Sequence, residues 1–122
     1  MNALDRQVGG SHYKLPYEPI VFITKTNLDF VQGSIVKYVS RYKSKGGKAD
    51  LEKAVHYAQF GRQLTKGLTI RKDLYADVEE FVTRNNFSEK QSSVIRFVIH
   101  RMWGRVEAVL TELIKEEYGS QS

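Results

Sequence analysis

The chain has 122 residues, 41% of them apolar and 11% aromatic, which suits the core of one compact domain over residues 1–122. It contains no cysteine, so disulfides and thiolate metal sites are excluded. The net charge of +5 is uneven, with eleven Lys/Arg against five Asp/Glu in residues 1–70 and eight against nine in residues 71–122, which favours a local anionic ligand.

No apolar run reaches the roughly 20 residues that a membrane-spanning helix needs. The polar start, MNALDRQVGGSHYK, lacks the apolar segment of a signal peptide. The lack of cysteine also fits a reducing compartment. We therefore expect a cytoplasmic protein without a membrane partner.

The first sixteen residues are predicted to be irregular, because glycines and a proline interrupt them. They contain the polar motif GGSHYK at residues 9–14. Serine and histidine side chains bind phosphate or transfer protons, whereas an arm that caps or packs on a helix is the structural alternative. Both interpretations stay open for Ser11, His12 and Tyr13.

The next segment, PIVFITKTN, has the composition of a strand. Because the rest of the chain is helical in pattern and offers no partner strand, we predict a short helix or an extended lead-in. A clearer helix follows, capped by Thr26 or Asn27, with Thr26-x-x-Asp29 as a capping box. Apolar residues recur along it at steps of three and four, and Gly46 and Gly47 end it.

A second helix is predicted from Asp50, as its N-cap, to about Lys66. The short glycine linker predicts that it forms an antiparallel hairpin with the helix before it. A third helix covers residues 71–84. Its inward residues are predicted to be Leu74, Val78, Phe81 and Val82.

The last helix begins with the capping box Ser88-x-x-Gln91 and is predicted to continue to residue 118. Its apolar residues form a heptad-like seam: Ile95, Ile99, Met102, Val106, Val109 and Leu113. A helix of this length is long for so small a domain. Either it bends near Gly104, or it shares its seam with another chain. The predicted fold is all-α, with a long C-terminal helix that mediates homo-oligomer formation.

A possible phosphate site lies in the first helix and the glycine turn. Helical spacing places Lys37 and Arg41 on one side, with Lys45 one turn further. Gly33 leaves space one turn before Lys37, and the turn adds backbone donors near a helix N-terminus. A solvated helix face with a simple glycine stop is the alternative. The pattern is neither a P-loop nor a dinucleotide-binding fingerprint.

Tyr38 and Tyr42 are candidates for stacking on a base, but both lie on the apolar stripe, which favours core packing. The histidines, His12, His56 and His100, are scattered and predict no metal site. His56 lies one turn from Glu52, which favours a surface ion pair. His100 and Trp103 flank the last seam and are predicted to pack against the core.

Several motifs occur in order over residues 9–60: S-H-Y, a Pro-Ile segment, G-x-x-x-K-Y-x-x-R, a Gly/Lys-rich turn and D-L-x-K-A-x-x-Y. With them the segment resembles a small domain family of bacteriophages. Most members have no assigned function, and one is part of a coliphage kinase of deoxynucleoside monophosphates. Residues 67–122 form a C-terminal helical extension. The candidate nucleotide-binding residues are Ser11, His12, Tyr13, Gly33, Lys37, Tyr38, Arg41, Lys45, Asp50 and Lys53.

The resemblance implies a phage protein in the cytoplasm of an infected bacterial host, with a nucleotide as ligand. As a phosphotransferase it would use ATP as phosphate donor. Lys37, Arg41 and Lys45 would then stabilise the transferred group. His12 or Asp50 would position the acceptor.

Three other functions stay open. A non-catalytic binder would sequester a nucleotide or a cyclic nucleotide immune signal, and the lack of a clear acid–base pair favours this form. Nucleic-acid binding through phosphate contacts is disfavoured because the basic charge is compact. A helical adaptor would use the last helix as its interface. No catalytic residue and no resident cofactor is assigned.

Overall fold

The computed structural model describes residue 3 and residues 14–119, and residues 14–119 contain helices and no strands. The elements in chain order are α1 Pro19–Thr26, α2 Phe30–Arg41, α3 Gly47–Leu64, a 3-10 turn Lys72–Leu74, α4 Tyr75–Arg84, α5 Glu89–Ile99 and α6 Trp103–Tyr118. The all-α prediction is confirmed. None of these helices is long and apolar enough to cross a bilayer.

The apolar segment at residues 19–27 forms helix α1 and not a strand. Pro19 lies in the first turn, where its missing N–H leaves no helical hydrogen bond unmade. Asn27 ends the helix in the left-handed conformation, with φ 57°. Phe22 is fully buried, whereas Ile20 on the other side is 63% exposed. Of the two conformations predicted here, the helix is the one observed.

Helix α2 begins later than predicted, because its N-cap is Asp29. The Asp29 carboxylate accepts the Gln32 N–H at 2.7 Å, and the Gln32 side-chain oxygen accepts the Asp29 N–H at 3.1 Å. The predicted caps, Thr26 and Asn27, belong to the end of α1, where the Thr26 hydroxyl donates to the Phe22 carbonyl. A left-handed residue that ends one helix cannot begin the next, so the prediction was wrong.

The turn between α2 and α3 depends on its glycines. Gly47 has a φ of +56°, which glycine adopts without strain, and its N–H donates to the Tyr42 carbonyl at 2.8 Å. Gly46 is the N-cap of α3. The prediction that Asp50 caps this helix was wrong: Asp50 lies inside the first turn and is 2% exposed. Its carboxylate contacts Arg41 of α2 instead.

The single long helix predicted for residues 88–118 is wrong, because the chain breaks it into α5 and α6. Arg101 lies between them in the left-handed conformation, with φ 55°. Its guanidinium donates to Asp29 at the start of α2, at 3.0 Å. The break therefore precedes Gly104, the predicted position of a bend, and a tertiary contact holds it.

The heptad-like seam of α5 and α6 faces the core of its own chain. Four of its members are at most 2% exposed: Ile95, Ile99, Val106 and Leu113. The predicted capping box at the start of α5, Ser88 with Gln91, is present. Because the seam is buried within the chain, a homo-oligomer, which stays a prediction, would need another surface.

The core takes side chains from every helix, from the family-like segment as well as from the C-terminal extension. Its central aromatic contact joins α1 to α4: Phe22 and Phe81 stack with ring centroids 4.2 Å apart, and Tyr17 meets Phe81 edge-on at 5.2 Å. The inward residues predicted for the third helix are all buried, as expected: Leu74, Val78, Phe81 and Val82.

Candidate functional site

Three cationic side chains surround the ring of Tyr38; Lys37, Arg41 and Lys53 are called the cation group below. Lys37 Nζ lies 4.5 Å from the ring centroid, Arg41 Cζ 5.2 Å and Lys53 Nζ 5.5 Å. A ring face attracts a cation within about 6 Å of its centroid. Lys37 and Arg41 lie one turn apart on α2, whereas Lys53 belongs to α3. The packing of the two helices therefore brings the group together.

Asp50 provides the carboxylate that pairs with Arg41 of the cation group. Its Oδ2 accepts a hydrogen bond from Arg41 Nε at 3.1 Å, and its side chain is 2% exposed against 24% for that of Arg41. A buried carboxylate without a cation would be strongly unfavourable. The geometry makes Asp50 the partner of Arg41, in place of a carboxylate that faces a substrate.

Lys37 and Lys53 differ from Arg41 in both exposure and pairing. Both lysines are exposed, whereas Arg41 is half-buried. Within residues 14–119, no ion pair joins either lysine to a carboxylate. Two positive charges beside Tyr38 are therefore uncompensated.

Two predicted site residues lie apart from the cation group. Gly33 is buried under α1: a Cβ on it would lie 2.9 Å from Cγ2 of Ile23. Its missing side chain makes room for α1, and Gly33 also lines a shallow cavity together with Lys37, so its predicted role of leaving space for a ligand stays a prediction. Lys45 is exposed in the turn, and no described contact joins it to the Tyr38 ring. The predicted Ser11, His12 and Tyr13 lie outside the described residues.

A row of aromatic rings adjoins the cation group; Phe30, His56, Tyr57 and Phe60 are called the aromatic row. Tyr57 is central, with its centroid 5.8 Å from Phe30, 5.8 Å from Phe60 and 6.0 Å from Tyr38. Phe30 is 76% exposed and Phe60 37%. Such rings offer apolar faces on which a planar group can stack.

The aromatic row was missed by sequence reasoning. His56 stacks on Phe60, with centroids 4.5 Å apart, and the predicted ion pair with Glu52 is not present among the described residues. A signal was available, because residues 56, 57 and 60 are three and four apart and share one side of a helix. Phe30 belongs to α2, so its contact with these rings follows only from the packing of α2 on α3.

Tyr42 is buried, as the core-packing interpretation predicted, and is 1% exposed. Its hydroxyl donates to Glu117 Oε2 at 2.7 Å. Burial, together with this hydrogen bond, raises the pKa of Tyr42 well above its usual value. The neighbouring Tyr118 lies close to Gly47, whose Cβ, if present, would be 3.7 Å from the Tyr118 hydroxyl. The end of α6 thus supports the turn between α2 and α3, which joins the two helices of the cation group.

A shallow cavity of about 310 Å³ lies between α1 and α2. Phe30, Gly33 and Lys37 are among the residues that line it, so it includes one ring of the aromatic row and one cation of the cation group. No three His, Asp or Glu side chains within the described part of the chain are grouped to hold a metal ion. The arrangement combines cations and exposed rings on α2 and α3 with a concave surface on the α1 side of α2.

Residues 8–59 match a family model described as "Protein of unknown function (DUF3310)". No curated protein and no solved structure matched the chain. The match agrees with the predicted resemblance to a family of mostly unassigned function, whereas the link to a phage nucleotide kinase stays a proposal. Over residues 8–59, which contain the cation group and all of the aromatic row except Phe60, the chain is similar to this family.

Proposed function

We propose that this protein binds a nucleotide on the surface shared by α2 and α3, with a phosphate at the cation group and the base on the aromatic row. The observation that carries the proposal is the gathering of Lys37, Arg41 and Lys53 around one tyrosine ring, next to exposed rings. In this proposal α2 and α3 form the antiparallel hairpin that their short turn predicts. Cations alone would bind many anions, so the adjoining rings make the nucleotide the best match.

A phosphate group suits the charges of this surface. Lys37 and Lys53 are uncompensated, and Asp50 engages Arg41 through Nε, which leaves the Nη groups for a phosphate oxygen. Two opposite unit charges 4 Å apart attract by about 4 kcal/mol at the effective dielectric constant of a protein surface. The cation group should therefore distinguish a nucleotide from its nucleoside.

The aromatic row suits a base. Stacking of a base on an aromatic side chain contributes about 1–3 kcal/mol and tolerates different bases. The Phe30 ring is largely exposed, and it shares a cavity with Lys37. A nucleotide on the surface shared by α2 and α3 would place its base on Phe30 and Tyr57 and its phosphate toward Lys37.

Binding without chemistry is the form that the geometry favours. Asp50, the described candidate for positioning an acceptor, is buried and paired with Arg41. A protein of this kind would sequester a nucleotide or a cyclic nucleotide signal. Phosphoryl transfer from ATP to a deoxynucleoside monophosphate is the second candidate, and the resemblance of residues 9–60 supports it.

Calorimetric titration of the full chain tests the proposal. Thymidine monophosphate, ATP and a cyclic dinucleotide serve as ligands, with thymidine and inorganic phosphate as controls. We expect at least one nucleotide to bind at least about 10-fold more tightly than either control. Absence of binding by every nucleotide would refute the proposal. Oligothymidylate binding without mononucleotide binding would point to nucleic acid, and thymidine diphosphate made from ATP would establish phosphoryl transfer.

Alanine at Lys37 or at Lys53 is expected to weaken nucleotide binding about 10-fold each, since a hydrogen bond to a charged group contributes about 1.5–3 kcal/mol. Lys45→Ala removes the same charge from the turn and is expected to change the affinity less than about 2-fold. Titrations of the three variants at one salt concentration compare them. An equal loss for Lys45→Ala would show that only net charge matters.

Phe30→Ala is expected to weaken nucleotide binding by at least about 5-fold, because stacking on the base is lost. The affinity for pyrophosphate, which has no base, should not change. Phe30→Tyr retains a ring and should restore most of the nucleotide affinity. If Phe30→Ala left nucleotide affinity intact, the base would not lie on the aromatic row.

A further inference from the structure

A second concave surface lies away from the proposed nucleotide site, between the 3-10 turn with α4 and the end of α5; it is called the α4–α5 groove. Its volume is about 670 Å³, twice that of the cavity beside Lys37. This is within the range of about 300–1,000 Å³ that is usual for small-molecule sites. The residues that line it are Ile70, Arg71, Lys72, Leu74, Tyr75, Val78, Glu79, Arg96, Ile99 and His100.

The groove is apolar at its base and at part of its rim. Leu74, Val78 and Ile99 are 6%, 5% and 2% exposed, whereas Ile70 and Tyr75 are 56% and 68% exposed. Large apolar side chains this exposed beside a buried apolar base can cover a ligand from water. The groove thus suits a ligand with an apolar body.

Its polar groups are fixed by contacts within the chain. Arg96 on α5 donates to both oxygens of Glu79 on α4, at 2.8 and 3.0 Å, and this lowers the pKa of Glu79. His100 Nδ1 accepts the backbone N–H of Arg71 at 3.0 Å. The same Nδ1 lies 3.3 Å from the Thr69 carbonyl, which can only accept; the shorter contact, from an N–H that can only donate, favours the neutral tautomer with its proton on Nε2.

The charged side chains that line the groove indicate which head group a ligand would carry. Three cationic side chains and one carboxylate line the groove. Arg71 is paired with Asp73 and Arg96 with Glu79, so the exposed Lys72 is the cation in excess. This excess of one positive charge favours a ligand that carries one anionic group.

We propose that the α4–α5 groove binds a small amphipathic anion, with an apolar ring or chain on Leu74, Val78 and Ile99 and a carboxylate, sulfonate or phosphate head near Lys72. The site involves neither the cation group nor the aromatic row, so it is independent of the proposed nucleotide binding. The proposed binding requires no chemical reaction at this surface.

The probe for a test is anilinonaphthalene sulfonate, an apolar ring system with one anionic head whose fluorescence rises on binding. The control probe is N-phenylnaphthylamine, which is similar in shape and uncharged. With the full chain we expect saturable binding of one sulfonate per chain, at least about 5-fold tighter than that of the neutral probe. Thymidine monophosphate should not displace the dye.

Variants of groove residues, compared with a matched control, test whether the probe binds in the groove. Tyr75→Ser and Lys72→Glu change exposed groove residues, so the fold should be retained, and each is expected to weaken sulfonate binding about 10-fold. Leu68→Ser is the control, because Leu68 is 62% exposed and does not line the groove. Circular dichroism in the aromatic region verifies the folded state of each variant.

Three outcomes would overturn the proposal. The first is equal affinity for the charged and neutral probes. The second is sulfonate binding that Tyr75→Ser and Lys72→Glu leave unchanged. The third is a dimer in analytical ultracentrifugation that Tyr75→Ser converts to monomer, since a second copy would then cover the groove.

Discussion

Replacing Phe81 by alanine is expected to lower the free energy of unfolding by about 3–5 kcal/mol. The Phe81 ring is fully buried and contacts three others, stacked on Phe22 at 4.2 Å and edge-on to Tyr17 at 5.2 Å and to Phe87 at 5.4 Å. Alanine would leave a cavity where α1 meets α4. Since small domains are stable by only about 5–15 kcal/mol, the loss would be a large fraction of the total. Urea unfolding followed by circular dichroism measures it.

Phe30→Ala is the matched control, because it deletes the same atoms from a side chain that is 76% exposed. We expect it to change the free energy of unfolding by at most about 0.5 kcal/mol. Equal losses at Phe81 and Phe30 would contradict the packing of α1 on α4. The same variant therefore serves two experiments, since it should affect nucleotide affinity while leaving stability intact.

Arg41→Ala is expected to lower the free energy of unfolding by about 3 kcal/mol, the lower end for breaking a buried ion pair. The lower end applies because the Arg41 side chain is 24% exposed, although that of Asp50 is 2% exposed. The variant would leave the Asp50 carboxylate buried without its cation. Urea unfolding at neutral pH measures the change.

Removing Asp50 as well should recover much of that loss. In Arg41→Ala/Asp50→Ala no buried charge is left, so we expect the double variant to be more stable than Arg41→Ala alone. Lys43→Ala, at an exposed position in the turn, controls for the loss of a positive charge. A double variant less stable than Arg41→Ala would mean that Asp50 stabilises the turn by itself. Lys37 and Lys53 remain the cleaner positions for testing phosphate binding.

Local patterns were enough to predict most of the helical segments and several of their ends, among them the end of α4 at Arg84 and the start of α5 after Ser88. Ser88 and Gln91 form the predicted capping box because the interaction involves only residues three apart. At α2 two such patterns overlap, Thr26-x-x-Asp29 and Asp29-x-x-Gln32, and only the second is formed. The left-handed Asn27 decides between them, and its conformation depends on where α1 ends.

The break between α5 and α6 could not be read from local sequence. Its left-handed residue is Arg101, whereas glycine or asparagine is usual at such a position. Its stabilising contacts come from α2: Asp29 binds the Arg101 guanidinium, and the Gln32 side chain donates to the Val98 carbonyl at 3.1 Å. These partners are 66 to 72 residues away in sequence. The apolar periodicity alone predicted a helix that continues through this break.

Helical spacing predicted only the part of the candidate site on α2, whereas Lys53 of α3 was a candidate through the family resemblance. The spacing of Lys37 and Arg41 along α2 predicted that they share a side. The choice of Lys53 over Lys45 as their neighbour depends on how α3 packs on α2, because all three cations meet at the Tyr38 ring. The density of lysines in the turn favoured Lys45 as the third cation of the site. The packing of the helices favours Lys53 on α3 instead.

The family match ends within a helix that packs against the rest of the chain. Residue 59 falls inside α3, and the inner faces of α2 and α3 lie under α5 and α6. Gln91 of α5 donates to the Val39 carbonyl of α2 at 2.9 Å, and just beyond residue 59 the Trp103 ring of α6 occupies the space where a Cβ on Gly61 would be. Excised at those limits, the segment would present this apolar surface to water. In this chain α5 and α6 cover that surface, so the family-like segment depends on the C-terminal residues for the burial of its inner faces.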